Sequence, residues 1–222
     1  MDTIIYFLLC MGYLILLFIG IHLAKHHGWK NSGNVLMLVI LALIYDNGIL
    51  ALGKYVGEGD LLKTLNLVRY WLHAFFTPLL VLFAWNTLTK VNLPWTKTSM
   101  IQWLVVVFTL CLMLIELTTV VWGISLESSW KFGVLSYKEA GDTGGPPIMI
   151  ISVSIILLIT SIIVWWREKW PWYCVGVLFL GIIPIGHFLL KTGAFHNISE
   201  FILMMFLLTT KAHQDRISSS SR

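Results

Sequence analysis

The chain has 222 residues, 58% of them hydrophobic and only 12% charged, with a formal net charge of +4. A soluble domain carries about 25% charged residues, so this supply cannot coat a water-facing surface, and a cytosolic globular enzyme is excluded. Disorder is excluded too, because it needs low hydrophobicity and high charge, and what remains is a single-domain polytopic membrane protein.

In chain order, seven runs reach the roughly 20 mostly apolar residues that a spanning helix needs. They cover 3–23, 34–53, 65–88, 99–121, 147–166, 171–191 and 195–211. Backbone in lipid must satisfy its own hydrogen bonds. The expectation is therefore an all-α, seven-transmembrane-helix bundle, with no strand pattern in competition. It occupies residues 1–217, includes an outer loop at 122–146, and ends in a disordered tail at 218–222. The first run does not read as a signal peptide. It is preceded by Asp2 without lysine or arginine, and no small-x-small cleavage site follows. Cys10, Cys111 and Cys174 lie in three separate apolar runs, which reads as small buried side chains rather than a disulfide.

The connections set the expected orientation. Lys25, Lys30, Lys90, Lys97, Arg167, Lys169, Lys211, Arg216 and Arg222 fall on one side, opposed only by Glu168 and Asp215. On the other side, Lys54, Lys63, Lys131, Lys138 and Lys191 are balanced by Asp2, Glu58, Asp60, Glu127, Glu139 and Asp142. The positive-inside rule then puts the N-terminus outside and the C-terminus in the cytoplasm, in the plasma membrane of a prokaryote. Trp85, Trp95, Trp165, Trp166, Trp170 and Trp172 gather at the inner boundary as an aromatic belt. The singly scattered basic residues indicate membrane topology rather than a nucleic-acid partner. The long outer loop carries Trp122, Trp130 and Tyr137, and these aromatics favour a folded flap.

Ionisable residues inside a span are costly and face the bundle interior. Asp46, Arg69, His73 and Glu116 are such residues, and His187, Lys191, His196 and Glu200 lie nearer the ends of theirs. With the expected orientation all fall in the outer half, and the inner half reads as almost purely apolar. In the third run Asn66, Arg69, His73 and Thr77 form one stripe, and Pro78 follows as a kink. The pocket expected from this uses Asp46, Arg69, His73 and Glu116 as catalytic groups, with Asn47, Arg69, Thr77 and Asn197 as substrate contacts. Asp46 with Arg69 also reads as a buried ion pair that only locks two helices. Glu116, Lys191, His196 and Glu200 read equally as headgroup-level residues. Asn197-Ile198-Ser199 matches a glycosylation sequon.

Several chemistries suit that set. Zinc held by His73, His187 and His196, with Asp46 or Glu116 beside it, would make a lipid hydrolase or transferase acting on an amphiphilic substrate. Without metal, Arg69 would grip an anionic amphiphile, in a transporter, sensor or binding protein. A bis-histidine haem or quinone redox subunit would pair His73 with His187 or His196. A retinal receptor is a poor fit, since Lys211 lies at the inner boundary. A purely structural or partner-binding subunit is the remaining alternative. Seven spans with intramembrane His and Asp resemble the ceramidase/adiponectin-receptor superfamily of lipid hydrolases, in architecture alone. Where that family carries a Ser-x-x-x-His pair, Arg69 precedes His73. Its late His-x-x-x-His pair has no counterpart, since Thr192 and Glu200 flank His196 at four residues.

Overall fold

The computed structural model describes residues 2–140, 147–181 and 192–220. The chain is mostly helical. Its α-helices are α1 (Asp2–His27), α2 (Leu36–Val56), α3 (Asp60–Phe76), α4 (Leu79–Lys90), α5 (Ser99–Glu116), α6 (Ile148–Glu168), α7 (Trp172–Gly181) and α8 (Phe195–Ser220). Helix α8 runs past residue 217 and includes Ser218–Ser220.

Helices α1 and α6 are apolar on both faces. Helix α1 buries Tyr6, Leu9, Tyr13, Leu16, Gly20 and Ala24 at helical spacing. Its opposite face exposes Leu8, Met11, Ile15 and Phe18. Helix α6 likewise buries Met149, Val153, Leu157 and Val164 while exposing Ile151, Ile155, Ile159 and Ile162. A helix apolar all round belongs in a large core or a membrane. Among the described residues, five helical stretches are long and apolar enough to cross one: Asp2–His27, Ser32–Val56, Asp60–Lys90, Ser99–Val121 and Ile148–Glu168. Helix α7 is shorter, and α8 carries polar residues near both ends.

The stretch Asp60–Lys90 contains two helices because of Pro78. Proline has no N–H to give the Ala74 carbonyl, and its ring crowds the preceding turn. The backbone passes the break with tighter bonds, Leu80 N–H to Thr77 O at 3.1 Å and Val81 N–H to Pro78 O at 3.0 Å. Helix α5 ends differently, widening into a π-helical turn at Leu117–Val121 directly after Glu116.

The described part of the 122–146 connection, residues 122–140, contains strands, which corrects the all-helical reading. Strand β1 (Leu126–Lys131) pairs antiparallel with β2 (Val134–Glu139). The two residues between them, Phe132 (φ 52°) and Gly133 (φ 79°), are both left-handed. That is the backbone of a type I′ hairpin turn, whose twist suits the flanking strands. The hairpin caps the α2–α3 corner. Leu126, Leu135 and Tyr137 bury themselves against Ile49 and Leu62. The strand lies so close to α2 that a Cβ on Gly53 would stand 1.9 Å from the Leu135 carbonyl oxygen. The start of α1 joins the same end. The Thr3 hydroxyl donates to Gly133 O at 2.9 Å, and the buried Asp2 carboxylate accepts from Gly193 N–H at 2.7 Å.

The opposite, tail end carries a buried polar network, so that half is not purely apolar. Asp215 accepts from Lys211 at 2.7 Å, from Asn31 at 3.1 Å and from Lys90. Gln214 donates to Thr87 O at 3.2 Å and to Glu168 at 3.1 Å. Helices α1, α4 and α6 all finish at this end, with Lys25, Lys90 and Arg167 in their last turns. A helix C-terminus is the negative end of its dipole, so cations are favoured there.

Candidate functional site

Helices α2, α3 and α8 line an open cavity of about 220 Å³ that has polar groups in its wall, nearer the hairpin end than the tail end. Four polar side chains are bound together at its wall, three of them lining it and Asn66 buried behind. Arg69 Nε donates to Asp46 Oδ1 at 2.7 Å, and Arg69 Nη1 donates to Asn66 Oδ1 at 2.8 Å. The second Asp46 oxygen accepts from Asn197 Nδ2 at 3.0 Å. One carboxylate thus ties α2 to both α3 and α8. The i,i+3 spacing of Asn66 and Arg69 makes the second bond possible, because residues three apart share a helix face.

The histidines stand farther along the wall. His73 Nδ1 is 3.1 Å from the Thr77 hydroxyl, one turn on. His196 Nε2 is 3.3 Å from Glu200 Oε1, again one turn on. His73, Thr77, His196 and Glu200 also border a second, apolar cavity of about 70 Å³. That space continues between Leu80, Val153, Leu157, Leu203 and Met204. The polar-walled chamber and the apolar one therefore share His73, Thr77, His196 and Glu200, together with Val39 and Leu43.

Asp46, Arg69, His73, Thr77, His196 and Asn197 all line this one cavity. Asn47 does not. It is fully buried with its amide on the Leu43 carbonyl of its own helix, at 2.8 Å. Glu116 is buried on α5, outside the cavity lining. His187 and Lys191 lie outside the described residues. Among the described residues, no three His, Cys, Asp or Glu side chains are placed to hold a metal ion. The sequon reading fails, because Asn197 is buried with its amide on Asp46. Glu200, Tyr70 and Phe76 belong to the chamber although sequence reasoning passed over them as site residues. The i,i+4 spacing of His196 and Glu200 was the available signal for the first.

The hairpin is fastened to this wall from above. The Tyr70 hydroxyl, on the chamber's own helix, accepts from Glu139 N–H at 3.2 Å. The Tyr137 hydroxyl accepts from Gly59 N–H at 3.1 Å, pinning β2 to the α2–α3 turn.

Comparison of the chain with protein-family models, with curated proteins and with solved structures finds no match.

Proposed function

We propose that this chain is a seven-span membrane protein that takes a small-headed amphiphile into the α2–α3–α8 site. The N-terminus and hairpin lie outside and the tail in the cytoplasm. The head occupies the polar chamber, and the chain runs past His73 and His196 into the apolar one. The carrying observation is the wall that the two chambers share. Ligand sites commonly fall between about 300 and 1,000 Å³, so a chamber of about 220 Å³ suits a head of few atoms and no macrocycle. The excess of basic residues at the tail end supports the orientation.

Lipid extraction from the purified chain, followed by mass spectrometry, tests the binding. One amphiphile per chain should co-purify with the wild type, and Leu203→Trp, which fills the apolar chamber, should lose it. Equal lipid content in the two proteins would count against the proposal. A hydrolytic version has one specific support. The bond joining head to chain would lie at the two histidines, which could also supply two of the three zinc ligands. About one zinc per chain, lost in His73→Ala, would favour that lipid hydrolase. Zinc content near zero would leave binding, transport or sensing.

A further inference from the structure

We infer that the head this site takes is a protonated primary amine on an alkyl chain. The inference rests on the amphiphile reading above and gives the ligand its charge.

The arginine that would attract an anion is already engaged. Its Nε is on Asp46 and its Nη1 is on Asn66. An anionic head would have to compete with Asp46 for it, beside a second carboxylate. Among the described residues of the lining, with both histidines counted as neutral, Asp46 and Glu200 oppose Arg69, which gives one formal negative charge. Acceptors also stand open beside that ion pair. Asn197 spends its amide N–H on Asp46, which leaves its carbonyl oxygen as an acceptor. Among the described residues the Glu200 carboxylate is paired with His196, at 3.3 Å, longer than the about 2.7–2.9 Å of a strong charge-assisted bond. An ammonium has three donors and no acceptor, which complements such a lining. Two aromatic rings, Tyr70 and Phe76, border the same chamber, and a cation over an aromatic face gains further attraction. Beyond Glu200, the apolar cavity offers Leu157, Leu203 and Met204 to the alkyl chain.

The test uses the full chain in a neutral maltoside detergent at pH 7.5, titrated calorimetrically with dodecylamine, dodecanol and sodium dodecanoate. Dodecylamine should bind saturably at one per chain, and the other two at least about tenfold more weakly. Glu200→Gln keeps the shape and removes the charge, and should weaken amine binding about tenfold or more. Phe76→Leu should weaken it about two- to fivefold through the lost cation–π contact. This variant and the wild-type ligand series keep the test decisive if Glu200→Gln does not fold. Dodecanoate binding better than the amine, or a folded Glu200→Gln with unchanged amine affinity, would overturn the amine assignment and leave the amphiphile reading standing. Saturable binding of none of the three would overturn both.

Discussion

Replacing Asp215 by asparagine should be among the most damaging single substitutions in the molecule. The carboxylate is 3% exposed and Lys211 is 2% exposed, so neither has water to fall back on. At the observed 2.7 Å and an effective dielectric near 20, their attraction is about 6 kcal/mol. Much of that offsets the cost of burying the two charges. Removing the carboxylate leaves two ammonium groups, Lys211 and Lys90, side by side without their counter-charge. Breaking a buried pair in this way costs about 3–5 kcal/mol. Reversible unfolding in mixed dodecyl sulfate micelles measures the loss. Trp170, stacked 4.0 Å from His213 in the same region, can serve as the fluorescent reporter. The double variant Lys211→Met, Asp215→Leu should recover most of the stability, because Lys90 keeps access to the surface. A loss below about 1 kcal/mol in Asp215→Asn, or a double variant as unstable as the single one, would refute the reasoning.

Acid should act on the same group. Asp215 lies beyond the apolar run of α8. Burial pushes its carboxyl up, but hydrogen bonds from Lys211 and Lys90 outweigh that and hold it below the ordinary range. A folded-state value below the unfolded one stabilises fully above the ordinary carboxylate value and is lost as pH falls through the folded value. Wild-type stability should therefore drop below about pH 4, with this component missing from Asp215→Asn. Gly53→Ala should push the hairpin off α2, since the new methyl would meet the Leu135 carbonyl. Faster tryptic cleavage at Lys131 and a stability loss of about 1–3 kcal/mol would show it. Arg69→Lys cannot keep both the Asp46 and Asn66 bonds, because a lysine lacks the rigid fork of donors. It should lower affinity for the co-purifying amphiphile, whereas a purely structural pair would change only the melting temperature. Finally, in a cysteine-free background, a cysteine placed at Trp130 should react with an impermeant maleimide added outside whole cells, and one at Asn92 should not. The reverse pattern would invert the proposed orientation.

Much of the site was legible along single helices. Asn66, Arg69, His73 and Thr77 share a face at spacings of three and four, and the structure puts Arg69, His73 and Thr77 along one wall, with Asn66 behind Arg69. Neighbours in sequence were harder to separate. Asp46 and Asn47 differ by one position, which on a helix is a rotation of roughly 100°. That turn sends Asp46 into the chamber and Asn47 into its own backbone. Glu116 failed for a related reason: depth along α5 could be counted, but which way its face turned could not. The hairpin was missed because Phe132-Gly133 is not one of the usual Asn-Gly or Asp-Gly turn pairs, and β2 is buried nearly throughout rather than alternately.

The sequence by itself determined the class and the scarcity that organises the molecule. A chain with 12% charge must sort that charge between its ends and a few interior positions, and those positions can be read directly. Only the tertiary structure decided which interior charges meet. Asp46 spans three helices, Glu200 joins the chamber, and Asp215 gathers lysines from α4 and from its own helix. These pairings depend on how helices rotate and slide against one another. That is set by the packing of whole faces, and no single stripe contains it.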